Sequence, residues 1–325
     1  MKKIKKRLLK RILKIVDVSL LGYFHLLRLL TYVLPPRVLY AIYTGLSFVL
    51  YHIIPGTSKR YCRNIAAALP EIKDPKRIKY IARRSYNELF KGMVDLVVFA
   101  RHGDQVYSEL VLEGMDIVEK ALALGVGAVC ISGHLGGWAI SFALEVRHGY
   151  VTTPLVINPV KTPTPRFVKA ILDFAAALSG EHGDYILTGE DDTISRTQEL
   201  LNRGGILVSA VDVTGRHIVD FLGKPAAMAS GVGHFLIDSG VPVFPGFALR
   251  EKGDPLRFRG VFREPIEYGL TGDREEDVHA ILQACVAAIE KQVRLTPEQW
   301  TQWGAVERWW KRAEKLEKHT KGAIS

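Results

Sequence analysis

The 325-residue sequence predicts an α/β fold, a mostly parallel sheet flanked by helices and reached through an all-helical N-terminal part. Three observations carry this. The first hundred residues hold apolar side chains at helical spacing only, and from about Tyr107 short β-branched runs alternate with helical patterns. The later helical patterns also end at or near glycine, as helix C-termini favour.

The chain opens with "MKKIKKRLLKRILKIVD", in which eight Lys or Arg precede the first acid, Asp17, and Ile4, Leu8, Leu9, Ile12, Leu13 and Val16 recur at helical spacing. This is a basic amphipathic helix of the kind that lies on a membrane surface. The following "VSLLGYFHLLRLLTYVLPP" is apolar but carries His25 and Arg28. A charge in mid-bilayer costs about 2.5 to 3.5 kcal/mol, which favours surface embedding over spanning. No small-residue cleavage site follows, so a signal peptide fits poorly. Val38 to Ile54 is at the short limit for a transmembrane helix; because Pro55 and Gly56 stop it and a cationic helix follows, it is expected to be a buried or membrane-facing domain helix. "SKRYCRNIAAALPEI" and "DPKRIKYIARRSYNELFKGMVDLVVFA" continue the helical part, the second with a face of Ile81, Tyr86, Leu89 and Met93.

Beyond residue 107, "VGAVCIS", "YVTTPLVIN", "GDYILT", "GGILVSAVD", "VPVFPGFALRE" and "RFRGVFREPIEY" are the expected strands. Between them stand the helices "TPRFVKAILDFAAALSG", "DTISRTQELLNRG" and "MASGVGHFLIDSG". The end is helical again, with "REEDVHAILQACVAAIEKQVRL" followed by a Trp- and Lys-rich segment. The expected division is a membrane-associated helical part over residues 1–56 and an α/β domain with a helical C-terminal segment over 57–325.

The formal charge is +10, from 44 Lys and Arg against 34 Asp and Glu. That excess calls for an anionic partner, such as nucleic acid, phospholipid or a phosphorylated substrate. No nucleic-acid-binding module is recognisable, so nucleic acid is not expected. Cys62, Cys130 and Cys285 are odd in number and widely spaced, which argues against a disulfide framework or a zinc site and for a reducing, cytosol-facing location.

One stretch stands apart chemically. "AVCISGHLGGWAISFALE", residues 128–145, puts His134 between an apolar run and a helical pattern, with Gly133, Gly136 and Gly137 around it. In open α/β sheets, sites form where strands end and helices begin. The glycines permit a tight turn and close substrate approach, and amides of a helix starting near Trp138 would face an anion or developing oxyanion. A purely structural cap histidine fits the same spacing.

With these residues in view, the sequence resembles the lysophospholipid acyltransferases of the lipid A biosynthesis type, which include lauroyl and myristoyl transferases and mycobacterial phosphatidylinositol mannoside acyltransferases. "RYCRNIAAALPEI", "ISGHLGGWAI", "LLNRGGILVSAVDVTGR", "VDFLGKPAAMASGVGHFLIDSGVPVFPGFALRE" and "LTPEQWTQWGAVERWW" resemble five family blocks in the family's order. The resemblance implies a glycerolipid-acyltransferase-like α/β fold and O-acyl transfer from an acyl carrier protein or acyl-CoA to a glycolipid or lipid A precursor, as in lipopolysaccharide biosynthesis. It places the protein at the cytoplasmic face of a bacterial inner membrane. No metal and no cofactor beyond the acyl thioester is expected.

The family mechanism uses a histidine, here His134, followed after four residues by Asp or Glu. The histidine takes the acceptor's proton, and the acid fixes its tautomer. The counted position is Ala139. Three readings remain: a substitution introduced to inactivate the site, a natural noncatalytic glycolipid-binding homologue at the membrane surface, or an acid supplied from elsewhere. The intact glycines and Trp138 favour the first. Glu145 is a weak substitute, about 16 Å along a helix. Asp212, at the end of "GILVSAVD", is better placed and is carried over from the family as a site residue. Gly136, Gly137 and Trp138 are assigned to substrate binding, and Arg166, Arg216 and Lys224 to phosphate or the donor's pantetheine phosphate. The His234 and Asp238 pair is expected to be a helix-surface contact, and Trp300 and Trp303 to pack in the core.

Overall fold

A computed structural model describes residues 2–158, 165–178 and 184–324. Four helices come first: α1 (Lys2–Val33), α2 (Pro36–Ile53), α3 (Thr57–Ala68) and α4 (Pro75–Ser108). The basic and apolar segments at the N-terminus form one 32-residue helix, because no proline interrupts them before Pro35. Pro36 opens α2 at a position where its missing N–H costs nothing, and Asp74 caps α4 by accepting from Lys76 N–H at 2.9 Å. No single helix among the described residues is long and apolar enough to cross a membrane.

The α/β part follows as β1 (Val111–Glu113), α5 (Met115–Leu122), β2 (Ala128–Ser132), α6 (Ser141–Arg147), β3 (Thr152–Ile157), α7 (Pro165–Ala176), β4 (Ile186–Thr188), α8 (Thr193–Asn202), β5 (Ile206–Ala210), β6 (Thr214–Phe221), β7 (Lys224–Met228), α9 (Gly231–Ser239), β8 (Val243–Arg250), β9 (Phe258–Phe262), α10 (Arg274–Leu295) and α11 (Val306–Ile324). Seven strands form one sheet in the order β1-β9-β8-β2-β5-β3-β4. Five of them run parallel; β9 pairs antiparallel with β8 and parallel with β1. β2 and β8 are buried along their whole length, which is why both read as apolar runs up to their last residues, Ser132 and Arg250. The expected α/β class, with its parallel sheet between helices, is the observed one.

Several elements depart from the sequence reading, β1 and α5 among them, since the pattern announced neither. A separate hairpin, β6 and β7, lies against α10 and α11. Its two-residue turn, Leu222–Gly223, has both residues at positive φ, a conformation usually announced by Asn-Gly or Asp-Gly, and leucine hid it. The helix expected to start near Trp138 starts three residues later, at Ser141, so residues 136–140 are turn.

Two layers of core sandwich the sheet. One joins α3, α4, α10 and the tryptophans Trp300, Trp303, Trp309 and Trp310; the other joins α1, α2, α4, α5 and α6 to β8 through Phe24, Leu39, Phe99, Ile117, Phe142 and Phe244.

Candidate active site

The register of the sheet creates the site. β2 and β5 are parallel neighbours with Ser132 opposite Ala210, so the residues two further along, His134 and Asp212, leave the sheet side by side. His134 Nδ1 and Asp212 Oδ1 are 2.7 Å apart, and the His134 backbone N–H donates to Asp212 Oδ2 at 2.8 Å. A carboxylate only accepts, so Nδ1 carries the proton and Nε2 is left with its lone pair on the opposite edge of the ring. Asp212 is buried, whereas the His134 side chain is 20% exposed and lines a cavity. Burial works against the imidazolium, but the charge and hydrogen bond of Asp212 outweigh it, and the His134 pKa stands above its ordinary value.

A third residue completes the group. The indole N–H of Trp300 donates to Asp212 Oδ2 at 2.8 Å. Trp300 lies in a C-terminal segment that is woven into the histidine turn: Thr301 N–H donates to the His134 carbonyl at 2.9 Å, Gly136 N–H to the Gln299 carbonyl at 3.0 Å, and Ser85 Oγ to the Trp300 carbonyl. Trp300 is buried in the core, as expected, and it also holds the acid. No local pattern in the sequence points to that second role, since the partners are 88 residues apart.

Gly136 and Gly137 face away from the cavity. Gly136 has φ +53°, and a Cβ there would lie 2.6 Å from the Ala248 carbonyl; Gly137 N–H donates to that carbonyl at 2.7 Å. Their freedom serves the close approach of the turn to β8. Behind them Arg250, which exchanges backbone-to-amide hydrogen bonds with Gln299, is buried with Asp95 and Glu88 as partners at 2.7 and 2.8 Å, and Lys91 joins Glu88 at 2.8 Å. Two cations and two anions balance there, so a floor without net charge supports the turn.

Trp138 and Ala139 do line the cavity. The Trp138 ring lies 4.9 Å from the His134 ring with its indole edge close to Gly92, and its buried N–H has no acceptor among the described residues. The backbone N–H groups of Trp138 and Ala139 likewise meet no acceptor among those residues. The cavity holds about 500 Å³, within the range of about 300 to 1,000 Å³ usual for ligand sites. From His134 it crosses the carboxyl ends of β5, β3 and β4, about three strand spacings or ~14 Å. Its walls are mainly apolar: Met93 and Leu96 from α4, Phe142 from α6, Leu155 and Val208 from the sheet, and Val168, Ile171, Leu172 and Ala175 from α7.

The remaining candidates lie elsewhere. Arg166, Arg216 and Lys224 are exposed and do not line the cavity; Lys224 Nζ sits 4.6 Å above the Trp310 ring. Glu145 faces Cys130, 4.0 Å from its Sγ, and burial pushes its pKa up to about 8. A carboxyl that is protonated at neutral pH is no orienting anion for His134. Asp238 forks onto Arg274 at 2.8 and 2.9 Å, and no dyad forms with His234.

A His–Asp pair with its acid buried and its free nitrogen open to a long apolar cavity suits base-assisted attack on a fatty acyl group. The sequence matches the family described as bacterial lipid A biosynthesis acyltransferase over residues 5–312. The chain belongs to that family. Two relatives similar to this chain are the phosphatidylinositol mannoside acyltransferases of Mycobacterium tuberculosis strains ATCC 25618 / H37Rv and CDC 1551 / Oshkosh. Each is 25% identical over 263 residues, spanning 79% of this chain and 78% of the relative. As a member of an acyltransferase family, the protein is an enzyme of acyl transfer, and its departure at Ala139 has to be weighed against the acid found at Asp212.

Proposed function

We propose that the protein moves a fatty acyl chain from a thioester, on acyl carrier protein or CoA, to a hydroxyl of a glycolipid of the lipid A precursor or phosphatidylinositol mannoside kind, at the cytoplasmic face of a bacterial inner membrane. One observation carries the reading: His134, bonded through Nδ1 to Asp212, turns its free Nε2 edge to a 500 Å³ apolar cavity. The acceptor hydroxyl gives its proton to Nε2 as its oxygen attacks the thioester carbonyl carbon. The tetrahedral intermediate then collapses, the carbon–sulfur bond breaks, and the leaving thiolate takes the proton back from His134. The acceptor-free amides of Trp138 and Ala139 and the Trp138 indole N–H are the donors available to the oxyanion.

On this reading Asp212 supplies the charge that the family pattern expects at residue 139. It steadies the reactive tautomer and the imidazolium that forms, the part played by the acid of a Ser-His-Asp triad. The histidine thus has an acid partner with Ala139 in place, which supports a working site. The stripe Ile15, Val18, Leu26, Leu29 and Val33, exposed on a helix with a strongly basic start, supports attachment at a lipid surface.

The test is to incubate the purified protein with acyl carrier protein or CoA thioesters and extracted bacterial lipids, and to follow acylated lipids by mass spectrometry. Product is expected from the wild type and is lost in His134→Ala. Tight glycolipid binding with no product from either donor would favour the noncatalytic homologue, the reading that Ala139 at the cavity wall keeps open.

A further inference from the structure

The helix that walls the cavity opposite the sheet is held by the helix that carries the exposed apolar stripe. Val168, Ile171, Leu172 and Ala175 of α7 face the cavity. On the side of α7 packed against α1, Phe174 meets Phe24 edge-on at 5.4 Å and lies 4.6 Å from the Arg28 guanidinium. At the start of α7, where backbone N–H groups have no intrahelical partner, Phe167 N–H donates to Asp17 Oδ1 at 3.0 Å. Asp17 therefore caps α7 from another helix and places a negative charge at the positive end of its dipole. It is the only acid in the first seventy residues and is 4% exposed. An N-terminal part otherwise free of acid has buried its one carboxylate against the wall of the cavity.

The two faces of α1 are opposed. Asp17, Phe24, Leu27 and Thr31 are buried on one, while Ile15, Val18, Leu26, Leu29 and Val33, with Gly22 in phase, are exposed on the other at helical spacing. Arg11 and Lys14 are exposed next to the apolar stripe, and six further Lys or Arg precede them in the sequence. Apolar side chains beside dense positive charge fit an anionic lipid bilayer better than a neutral protein surface.

We propose that an anionic lipid surface, bound on the outer stripe of α1, regulates the cavity: α1 transmits its seating on the lipid to α7 through Asp17, Phe24 and Arg28. That the cavity holds the acyl chain rests on the proposed function; the coupling of lipid to α7 does not. The cavity then reaches its working shape at the surface where a lipid acceptor resides, and a chain away from the membrane keeps a differently set wall.

The experiment is hydrogen–deuterium exchange of residues 165–176 in the full-length protein, alone and with vesicles of equal parts phosphatidylglycerol and phosphatidylcholine or of phosphatidylcholine only. The mixed vesicles are expected to change exchange in α7, and phosphatidylcholine alone is not. Asp17→Ala still binds mixed vesicles, but its α7 exchanges roughly 2- to 30-fold faster at rest, the scale of one lost helix cap, and no longer responds to lipid. Asp17→Asn, which keeps an acceptor oxygen, retains the response. Should Asp17→Ala not fold, Phe174→Leu removes the aromatic half of the contact and is expected to weaken the same response. Leu29→Asp, on the outer stripe, leaves α7 unchanged at rest and loses vesicle binding. Exchange in α7 that ignores mixed vesicles, answers equally to phosphatidylcholine alone, or responds fully in Asp17→Ala overturns the proposal. An intact α7 response without acyl transfer removes the enzymatic reading alone; acyl transfer with α7 indifferent to lipid removes this one alone.

Discussion

The two ends of the cavity are fixed by different kinds of force. At the His134 end, three segments far apart in the chain meet through directed hydrogen bonds, with Asp212 accepting from the His134 backbone, the His134 ring and the Trp300 indole. At the α7 end a single carboxylate and a few ring contacts hold a helix whose inner face is aliphatic. Proton transfer needs atoms placed within about half an ångström, which only directed bonds over several elements provide. A fatty chain is held by burial, which is non-directional and tolerates a wall that moves. Directed bonds are concentrated at the His134 end, where the proposed proton transfer needs them.

The largest break in this contrast comes from the acid. Asp212→Asn is expected to lower kcat/KM about 10²- to 10⁴-fold, the usual scale for general acid–base assistance. Its pH profile identifies the cause. In the wild type, activity is present above the His134 pKa and lost as pH falls through it, and because that pKa is raised, the acid limb lies above the ordinary histidine value of about 6.5. With the charge of Asp212 gone and burial still acting, the limb moves to lower pH in the variant. Ala139→Glu in the same background, which restores the family's pattern, should recover part of the rate. An acid limb that stays in place in Asp212→Asn would exclude Asp212 as the partner of His134.

A smaller break should follow from Trp300→Phe, which removes the indole donor and keeps an aromatic ring in the core. A hydrogen bond to a charged group is worth about 1.5 to 3 kcal/mol, so kcat should fall roughly 10- to 100-fold with little change in KM for the donor. Equal losses of thermal stability and activity, with an unaltered pH profile, would mark Trp300 as core packing only. At the other end, Ala175→Phe sharpens the comparison. It takes room from the chain, so donors too long for the shortened cavity should lose roughly fourfold in kcat/KM per excluded methylene, at about 0.8 kcal/mol each, while short donors are unaffected. A uniform loss across chain lengths, measured with a thioester series, would count against chain binding at α7.

Much of the architecture was legible because it is repetitive. Buried parallel strands appear as apolar runs and surface helices as a 3.6-residue period, so β2, β5, β8 and α10 were readable from local pattern. The β6–β7 hairpin was not, because its turn places a leucine in the left-handed region. His134 could be found from its setting between a strand and a glycine-rich turn, and Asp212 from the strand that precedes it. Asp17 was visible as the first acid of the chain, but what it caps was not.

By itself the sequence determined the kind of elements, their order, the histidine and the missing acid at residue 139, because each depends on near neighbours and on the chemistry of single side chains. The tertiary structure alone decided which acid faces His134, that Trp300 holds it, that Gly136 and Gly137 serve packing, and that α1 caps the cavity's wall. Those facts depend on strand register and on contacts between residues 78, 88 and 150 positions apart, which no local pattern encodes. Ser132 opposite Ala210 sets His134 beside Asp212; a one-residue slip would separate them.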